Sequence, residues 1–304
     1  MQTCSRCNSP IFYTRRYSGE ALCKLHFKES MVKKVSRTIS KYGMLKYGDR
    51  VGIAVSGGKD SLSLLLIMEQ LCKEKGLDLT ALTVDEGIEG YREEAISNTS
   101  NLCNKLGVRH VIVSYKELFG LSLDNALQQN ERDVSSCSFC GVMRRRAIDI
   151  AAQKADVNVI ATAHNLDDFI QTFLMNLLHG DVERLGFMHP NHRDETFPLR
   201  RIKPMMEIYE EETALFAYIS NIPFQSISCP YMHEGLRSEV RDFLNQLEVK
   251  HPGMKYVLFS SCIEVISHLD FSKAGTKPCS ICGKPSSSGV CGVCRMTKLI
   301  KDRI

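Results

Sequence analysis

Val51-Gly52-Ile53-Ala54-Val55-Ser56-Gly57-Gly58-Lys59-Asp60-Ser61 decides how the rest of the chain is read. A short apolar run ends in a serine and two glycines, and an apolar helical pattern follows from Leu62 to Leu71. That is a buried strand, a tight turn and a helix start. Gly57 and Gly58 let backbone N–H groups approach an anion closely, and the helix N-terminus adds its dipole. Lys59 supplies a point charge, and Ser56 and Ser61 supply hydroxyls. The stretch is not a Walker A loop, because Asp60 follows Lys59 where that motif has Ser or Thr, and Ile53 stands where it has Gly.

Outward from this turn, residues 49–180 alternate strands with helices. Strands are expected at Arg50–Ser56, Leu79–Asp85, Val108–Tyr115 and Val157–His164. Helices are expected at Ser61–Lys75, Tyr91–Leu106, Leu123–Glu131, Cys140–Lys154 and Asn165–Leu178. Near-continuously apolar strands spaced by helices imply an α/β, doubly wound parallel sheet, with ligands beyond the carboxyl ends of its strands. Three strand ends converge there: the glycine turn, Val84-Asp85-Glu86-Gly87, and Ala161-Thr162-Ala163-His164-Asn165-Leu166-Asp167-Asp168. Asn165 reads as a helix N-cap. Asp167 reads equally as dipole compensation, Asp168 as a magnesium-binding or substrate-polarising carboxylate, and His164 as either a satisfied half-buried histidine or a ligand contact.

The chain has 304 residues, 43% of them apolar and 24% charged, with a net charge of +4. This suits a globular protein and permits, without demanding, a nucleic-acid partner. The polar N-terminus is not a secretory leader, and no apolar run matches a membrane span. Thirteen cysteines in such a chain point to a reducing cytoplasm and metal binding rather than disulfides.

Ten of these cysteines fall in metal-like arrangements. Cys4-x2-Cys7 and Cys23-x2-His26, separated by fifteen residues, make a tetrahedral zinc site. Cys279-x2-Cys282 and Cys291-x2-Cys294, eight residues apart, make a zinc ribbon, followed by basic Arg295, Lys298, Lys301 and Arg303. Between them stand Cys137-x2-Cys140, at a helix start just before Arg144, Arg145 and Arg146, and a remote Cys229. Three thiolates without an obvious fourth ligand suit an iron–sulfur cluster with one open iron, or a Cys137/Cys229 persulfide–disulfide pair. Cys72, Cys103 and Cys262 lie in apolar helical patterns and read as core.

The expected organisation is a zinc finger at 1–27, a basic helical linker at 28–48, a catalytic domain at 49–250, a linker helix at 251–274 and a zinc ribbon at 275–304. The linker carries Lys28, Lys33, Lys34, Arg37 and Lys41 beside an apolar face of Val32, Val35, Ile39 and Met44, and its cations read as a solvated face or, alternatively, as phosphate contacts. Residues 181–250 read as basic and helical, with helices at Glu207–Asn221 and Gly235–Gln246. Arg200, Arg201, Lys203, Arg237 and Arg241 are equally a solvated face or a polynucleotide groove.

The glycine turn resembles the SGG-x-D-S loop of the PP-loop ATP pyrophosphatases. With the finger, the CxxC and remote Cys, and the ribbon, the whole chain resembles the TtuA/TtcA family of tRNA 2-thiolation enzymes. It is similar to the TtuA-like branch, since the thiocytidine branch lacks the zinc modules. The resemblance implies ATP with Mg2+, two Zn2+, and a [4Fe-4S] cluster on Cys137, Cys140 and Cys229. It places the nucleotide against Ala54, Ser56, Lys59, Val84, Arg144 and Ala163 and gives Asp168 a catalytic role; the reading of the strand ends adds Val55, Gly57, Gly58, Asp60, Ser61, Asp85 and Asp168 to the nucleotide site, and Lys59, Cys137, Cys140 and Cys229 to the catalytic set. The implied reaction adenylylates the C2 oxygen of a tRNA uridine and replaces it with sulfur, the wobble uridine being favoured over the T-loop uridine. The implied partners are tRNA and a sulfur donor, either a ubiquitin-like protein thiocarboxylate or free sulfide, and the family's dimers make a homodimer a further expectation. Two other readings are a tRNA lysidine synthetase-like PP-loop ligase, which needs no cysteine trio, and a non-catalytic zinc-ribbon RNA-binding subunit, against which Lys59, Asp60 and Asp168 argue.

Overall fold

A computed structural model describes residues 3–129, 135–190, 199–231, 235–269, 277–286 and 288–301. The chain opens with a small hairpin, β1 (Tyr13–Thr14) and β2 (Ala21–Leu22), and a long helix α1 (Lys24–Lys41). Next come β3 (Arg50–Ala54), α2 (Lys59–Lys75), β4 (Asp78–Asp85), α3 (Arg92–Leu106) and β5 (Arg109–Ser114). Helices α4 (Tyr115–Phe119), α5 (Leu123–Gln129) and α6 (Ser136–Lys154) lead to β6 (Val159–Ala161), α7 (Leu166–Leu178), α8 (Val182–Gly186) and β7 (Arg200–Ile202). Helices α9 (Glu210–Ile219), α10 (Leu236–Lys250) and α11 (Met254–His268) follow. The C-terminal module holds β8 (Lys277–Pro278), β9 (Pro285–Ser286) and α12 (Gly292–Lys301).

The central sheet has the order β5-β4-β3-β6-β7, and its four pairings are all parallel. Strand order reverses between β3 and β6. In an open α/β sheet that switch point leaves a crevice beyond the carboxyl ends, where ligands bind. The glycine turn after β3 and the N-terminus of α7 after β6 therefore face each other. Strand β3 is apolar because it is covered on both faces: Val51 and Ile53 are wholly buried, and a Cβ on Gly52 would lie 2.7 Å from the Leu82 side chain.

Four expectations need correction. The sheet has a fifth strand, β7, where a basic segment was expected. Its Arg200 and Arg201 do not stand free: they pair with Asp49 and Asp149. Three residues carrying two charges are typical of an edge strand and give little periodicity to read. Strand β6 is shorter than expected, spanning Val159–Ala161, and its last bond to β7 runs from the Thr162 N–H to the Ile202 carbonyl (3.0 Å). Helix α6 begins at Ser136, capped by the Ser135 hydroxyl on the Ser138 N–H, so both CxxC cysteines lie inside the helix. The short helix α4 was not expected at all. The expected helix end at Glu131 and the tail residue Arg303 lie outside the described residues.

The basic linker helix is α1, whose Phe27, Met31, Val35 and Ile39 are buried. Its Lys34 is not a phosphate contact. Lys34 Nζ lies 2.8 Å from Glu212 of α9, and Glu212 also takes Arg15 Nε of the N-terminal hairpin at 2.5 Å and the Tyr17 hydroxyl at 3.1 Å. Tyr17 stacks on Tyr209 with ring centroids 5.0 Å apart. At the other end, α12 packs on α6: a Cβ on Gly292 would lie 3.1 Å from Val142. Arg146 turns into that contact, its Nη2 being 3.9 Å from Cys291 Sγ.

Candidate active site and metal centres

The turn after β3 is held open by its own hydroxyls. Ser61 Oγ accepts from the Ser56 N–H (3.2 Å) and donates to the Gly58 carbonyl (3.0 Å), while Ser56 Oγ accepts from the Gly58 N–H (3.4 Å). Gly57 has φ +85°, and a Cβ there would lie 2.5 Å from Ala95 Cβ and 2.8 Å from the Ala95 carbonyl oxygen. Gly58 is extended, with Ser56 Oγ at 3.6 Å as the nearest atom to a new Cβ. Gly57→Ala is therefore expected to lower stability by about 1–3 kcal/mol and to abolish ATP binding. Gly58→Ala should keep wild-type stability. Denaturant melts and equilibrium ATP binding on the pair check this.

Lys59 Nζ reaches Asp60 and Glu210, each at 2.9 Å. Burial disfavours its charge, but these two carboxylates outweigh burial and raise its pKa, so Lys59 stands as a cation at the mouth of the turn. Asp60 also accepts from the Thr213 hydroxyl. Across the crevice, Asn165 and Asp168 form a reciprocal capping box, with Asn165 Oδ1 accepting the Asp168 N–H at 3.0 Å. Burial, together with Asp60 and Glu210, raises the Asp168 carboxyl to about 6, against the Asn165 N–H and the Arg237 cation. Arg237 Nη1 is 3.9 Å from Asp168. Asp167 points elsewhere: it pairs with buried Lys255 and accepts the Glu210 N–H at 2.8 Å, so it anchors α9. The His164 ring opens onto the crevice, its Nδ1 2.8 Å from Thr162 Oγ1. Desolvation, with Lys203, Arg237 and Arg201, pushes its pKa down to about 4, so it is neutral at physiological pH.

Val55 is buried, and its N–H bonds the Leu82 carbonyl at 2.9 Å; Ala54 and Ala163 are half-buried at the ends of β3 and β6. The Val84 carbonyl is already taken by Arg92 Nη2 at 2.7 Å. Asp85 accepts the Gly87 N–H at 2.9 Å and faces an outer cleft of about 480 Å³ that Asp124 and Tyr231 also line.

The three remaining thiols lie in one neighbourhood. Cys140 is buried and Cys137 exposed. Cys137 Sγ is 3.7 Å from the Tyr231 carbonyl, two residues past Cys229, and half-buried Cys229 packs with Cys140 in the same apolar cluster. Arg144 Nη2 donates to Cys140 Sγ at 3.1 Å. Burial raises the Cys140 thiol, a shift that the Arg144 charge opposes. The segment carrying Cys229 is also tied to the glycine turn: the Gln225 N–H bonds the Gly57 carbonyl at 3.0 Å, and Ser226 bonds Glu94.

Among the described residues, two groups bring their ligand atoms within 4.8 Å of one another: Cys4, Cys7, Cys23 and His26, and Cys279, Cys282, Cys291 and Cys294. Cys7 and Cys23 sulfurs are 3.8 Å apart, Cys282 and Cys291 sulfurs 3.7 Å, and His26 Nδ1 lies 3.4 and 3.5 Å from Cys4 and Cys23. A zinc tetrahedron has sulfur–sulfur edges of about 3.8 Å and sulfur–nitrogen edges of about 3.6 Å, so both sets fit that ion. The Cys291 N–H and other backbone donors hold the Cys279 thiol down to about 6. Cys137, Cys140 and Cys229 do not bring all three sulfurs within 4.8 Å of one another. Cys72, Cys103 and Cys262 are core residues, their thiols raised by burial to about 11, 11 and 12.

A PP-loop domain model matches residues 27–247, and a model of the N-terminal LIM domain of the 2-thiouridine synthetase TtuA matches residues 3–28. This chain belongs to the TtuA/NcsA family of tRNA 2-thiolation proteins. Its relatives include cytoplasmic tRNA 2-thiolation protein 1 of Laccaria bicolor, 34% identical over 97% of this chain and 84% of that one. The tRNA 2-thiolation protein NcsA of Haloferax volcanii is 30% identical over 98% of this chain and 99% of its own length. Among solved structures, the U34-tRNA thiolase NcsA of Methanococcus maripaludis, with its [4Fe-4S] cluster, superposes with a TM-score of 0.86 at 33% identity, covering 98% of this chain and 96% of that one. The likeness thus spans nearly the whole chain rather than the PP-loop domain alone. Among the described residues no helix is long and apolar enough to cross a membrane.

Sequence reasoning missed Glu210, which holds Lys59, and Glu86, which is buried between Arg92 and Arg144. Both sit in acidic stretches, Glu210-Glu211-Glu212 and Asp85-Glu86, where nothing local marks which carboxylate turns inward.

Proposed function

We propose that this tRNA thiolase adenylylates the C2 oxygen of the wobble uridine and exchanges it for sulfur in the cytoplasm, converting ATP to AMP and pyrophosphate. The observation that carries this reading is the segment 225–231, which touches the glycine turn at Gln225 and the CxxC helix at Tyr231. Nucleotide and thiols then share one crevice.

The C2 oxygen of uracil is a poor leaving group. Its attack on the α-phosphorus breaks the bond to the β-phosphate, and pyrophosphate leaves with the electron pair. The turn amides and Lys59 stabilise charge on the phosphates during this transfer. Lys59 exchanges Glu210 for phosphate oxygens as the nucleotide enters. Asp60 and Asp168, near enough for the Asp60 charge to help raise the Asp168 carboxyl, would be the residues to hold Mg2+, which would neutralise phosphate charge. Arg144, whose Nη2 lies 3.1 Å from Cys140 Sγ, is the residue assigned to contact both the thiols and the nucleotide. Hydrosulfide then attacks C2, the C2–O bond breaks, AMP departs and a proton is released, so the exchange needs no oxidant. A [4Fe-4S] cluster on Cys137, Cys140 and Cys229 would leave one iron without a protein ligand, there to hold the sulfur beside C2. The cluster in the Methanococcus maripaludis relative supports this assignment, and the three sulfurs do not close together as the two four-ligand groups do. The two four-ligand groups hold structural Zn2+. The sulfur comes from free sulfide or a ubiquitin-like protein thiocarboxylate.

Because Asp168 titrates at about 6, protonation should remove its charge below that pH. The kcat/KM profile for thiolation is expected to fall about tenfold per pH unit on the acid side of about 6, and Asp168→Asn is expected to be inactive at every pH. The sign for stability is opposite. The folded-state pKa is raised, so protonated Asp168 favours the fold, and that contribution fades as pH rises through about 6. A flat profile from pH 5 to 8 would remove Asp168 from the chemistry. The function itself is tested by mass spectrometry of tRNA from a deletion strain. Loss of 2-thiouridine at the wobble position is expected; loss only in the T-loop would overturn the positional assignment.

A further inference from the structure

Glu86 is a charged side chain that is almost wholly buried, at a point where the reaction as described does not use it. Its Oε2 lies 2.7 Å from Arg92 Nε and its Oε1 lies 2.7 Å from Arg144 Nε. The two guanidiniums then diverge. Arg92 Nη1 donates to the Ser56 carbonyl at 2.9 Å and Nη2 to the Val84 carbonyl at 2.7 Å, both at the strand ends beneath the glycine turn. Arg144 Nη2 donates to Cys140 Sγ at 3.1 Å. One carboxylate therefore sits as counter-charge between the arginine that braces the base of the glycine turn and the arginine that touches the sulfur-bearing helix, although its Oε2 and Arg92 Nε, 2.7 Å apart, are not aligned as a hydrogen bond.

A carboxylate this deep is costly to retain unless its partners are held well. Arg92 is itself buried and needs a counter-charge for the fold. Arg144 does not: its side chain is 44% exposed and would be solvated without Glu86. The second bond of Glu86 thus does something the fold does not require. The ion pair at Nε holds the Arg144 side chain against Glu86 while Nη2 reaches Cys140 Sγ. The Glu86 carbonyl is pinned as well, accepting the Leu123 N–H at 2.7 Å, so the carboxylate does not drift with its loop.

We propose that Glu86 is a positioning residue for thiolation, holding Arg144 in the one orientation that serves both the nucleotide phosphate and the Cys140 sulfur. The inference rests on the assignment of Arg144 to the nucleotide. Without Glu86 the fork swings into solvent, and the phosphate and sulfur contacts are lost together. Residues that orient a site group in this way cost about 10–100-fold when removed.

The test is a double-mutant cycle on the full-length chain with Glu86→Gln, Arg144→Gln and the double variant, reading the ATP dissociation constant of the cluster-free protein and the single-turnover rate of AMP formation with tRNA. Glu86→Asp joins the series because it keeps the charge that Arg92 needs but is one methylene too short to reach both forks, so it folds even if Glu86→Gln does not. The expected result is a weakening of about 10–100-fold in ATP binding for Arg144→Gln, a similar loss for Glu86→Gln or Glu86→Asp, and no further loss when either is combined with Arg144→Gln. Additive losses, or wild-type ATP binding in the Glu86 variants beside an impaired Arg144→Gln, would overturn the proposal. Wild-type behaviour of Arg144→Gln would remove its premise, and would show that the nucleotide assignment of Arg144, rather than the Glu86 relay, had failed.

Discussion

Cys229→Ala is expected to cut tRNA thiolation by at least about 10³-fold and to leave ATP binding at its wild-type strength. Sulfur held beside an activated carbon reacts as a unimolecular neighbour, and well-oriented neighbours reach effective concentrations of about 10⁵ M or more. Cys229 is the one thiol of the three that does not sit on α6, so its loss opens the sulfur-holding set without disturbing that helix. The glycine turn keeps its own anchors, the Gln225 N–H on the Gly57 carbonyl and the Arg92 fork on the Ser56 carbonyl. The variant should therefore still bind ATP, while iron retained after anaerobic purification drops and 2-thiouridine formation stops. Full thiolation by Cys229→Ala would mean that sulfur arrives without the trio. Full tRNA-dependent AMP release coupled to a different tRNA product would turn the assignment toward a PP-loop ligase.

The largest effect on folding is expected at Glu212. It is wholly buried, and Lys34 of α1, Arg15 of the N-terminal hairpin and the Tyr17 hydroxyl all converge on it. Burial alone would raise its pKa, but Lys34 and Arg15 overcome burial and lower it, so it stands as a carboxylate. Removing one partner of a buried ion pair strands the other charge, at a cost of about 3–5 kcal/mol. Glu212→Ala leaves Lys34 without a carboxylate partner and leaves Arg15 with Glu20 alone. The expected outcome is a fall in Tm on the order of 10 °C, with the N-terminal module losing its seat on α9 before the sheet unfolds. Hydrogen exchange resolved along the chain checks the order. Wild-type Tm in this variant would show that Lys34 and Arg15 are accommodated without Glu212 and that the network does not hold the module.

Some of this architecture is written locally. The glycine turn needs φ of +85° at Gly57 and no side chain beside Ala95, a demand that Gly-Gly meets and that is visible in the letters alone. The CxxC and CxxH pairs are equally legible, since both ligands of each pair come from one short turn, and only the meeting of two pairs needs the fold. Arg200–Ile202 was not legible as a strand, because an edge strand takes its hydrogen bonds from a partner forty residues away and its charges from Asp49 and Asp149. Lys34 misled for a related reason: a cation on a helix reads as solvated until the carboxylate that buries it, Glu212, is brought in from 178 residues on.

What the amino-acid order determined without help is therefore the set of short-range devices: strand, glycine turn and helix start, the capping residues, and the paired ligands. These depend on backbone freedom and on spacing within a turn or two. What the tertiary structure alone decided is which charges face each other. It set Asp60, Asp168 and Glu210 together so that Asp168 titrates at about 6, sent Asp167 away to Lys255, and buried Glu86 between two arginines. The physical reason is that a carboxylate's role is set by its desolvation and by the sign of its neighbours, and both come from parts of the chain that meet only when the sheet has closed.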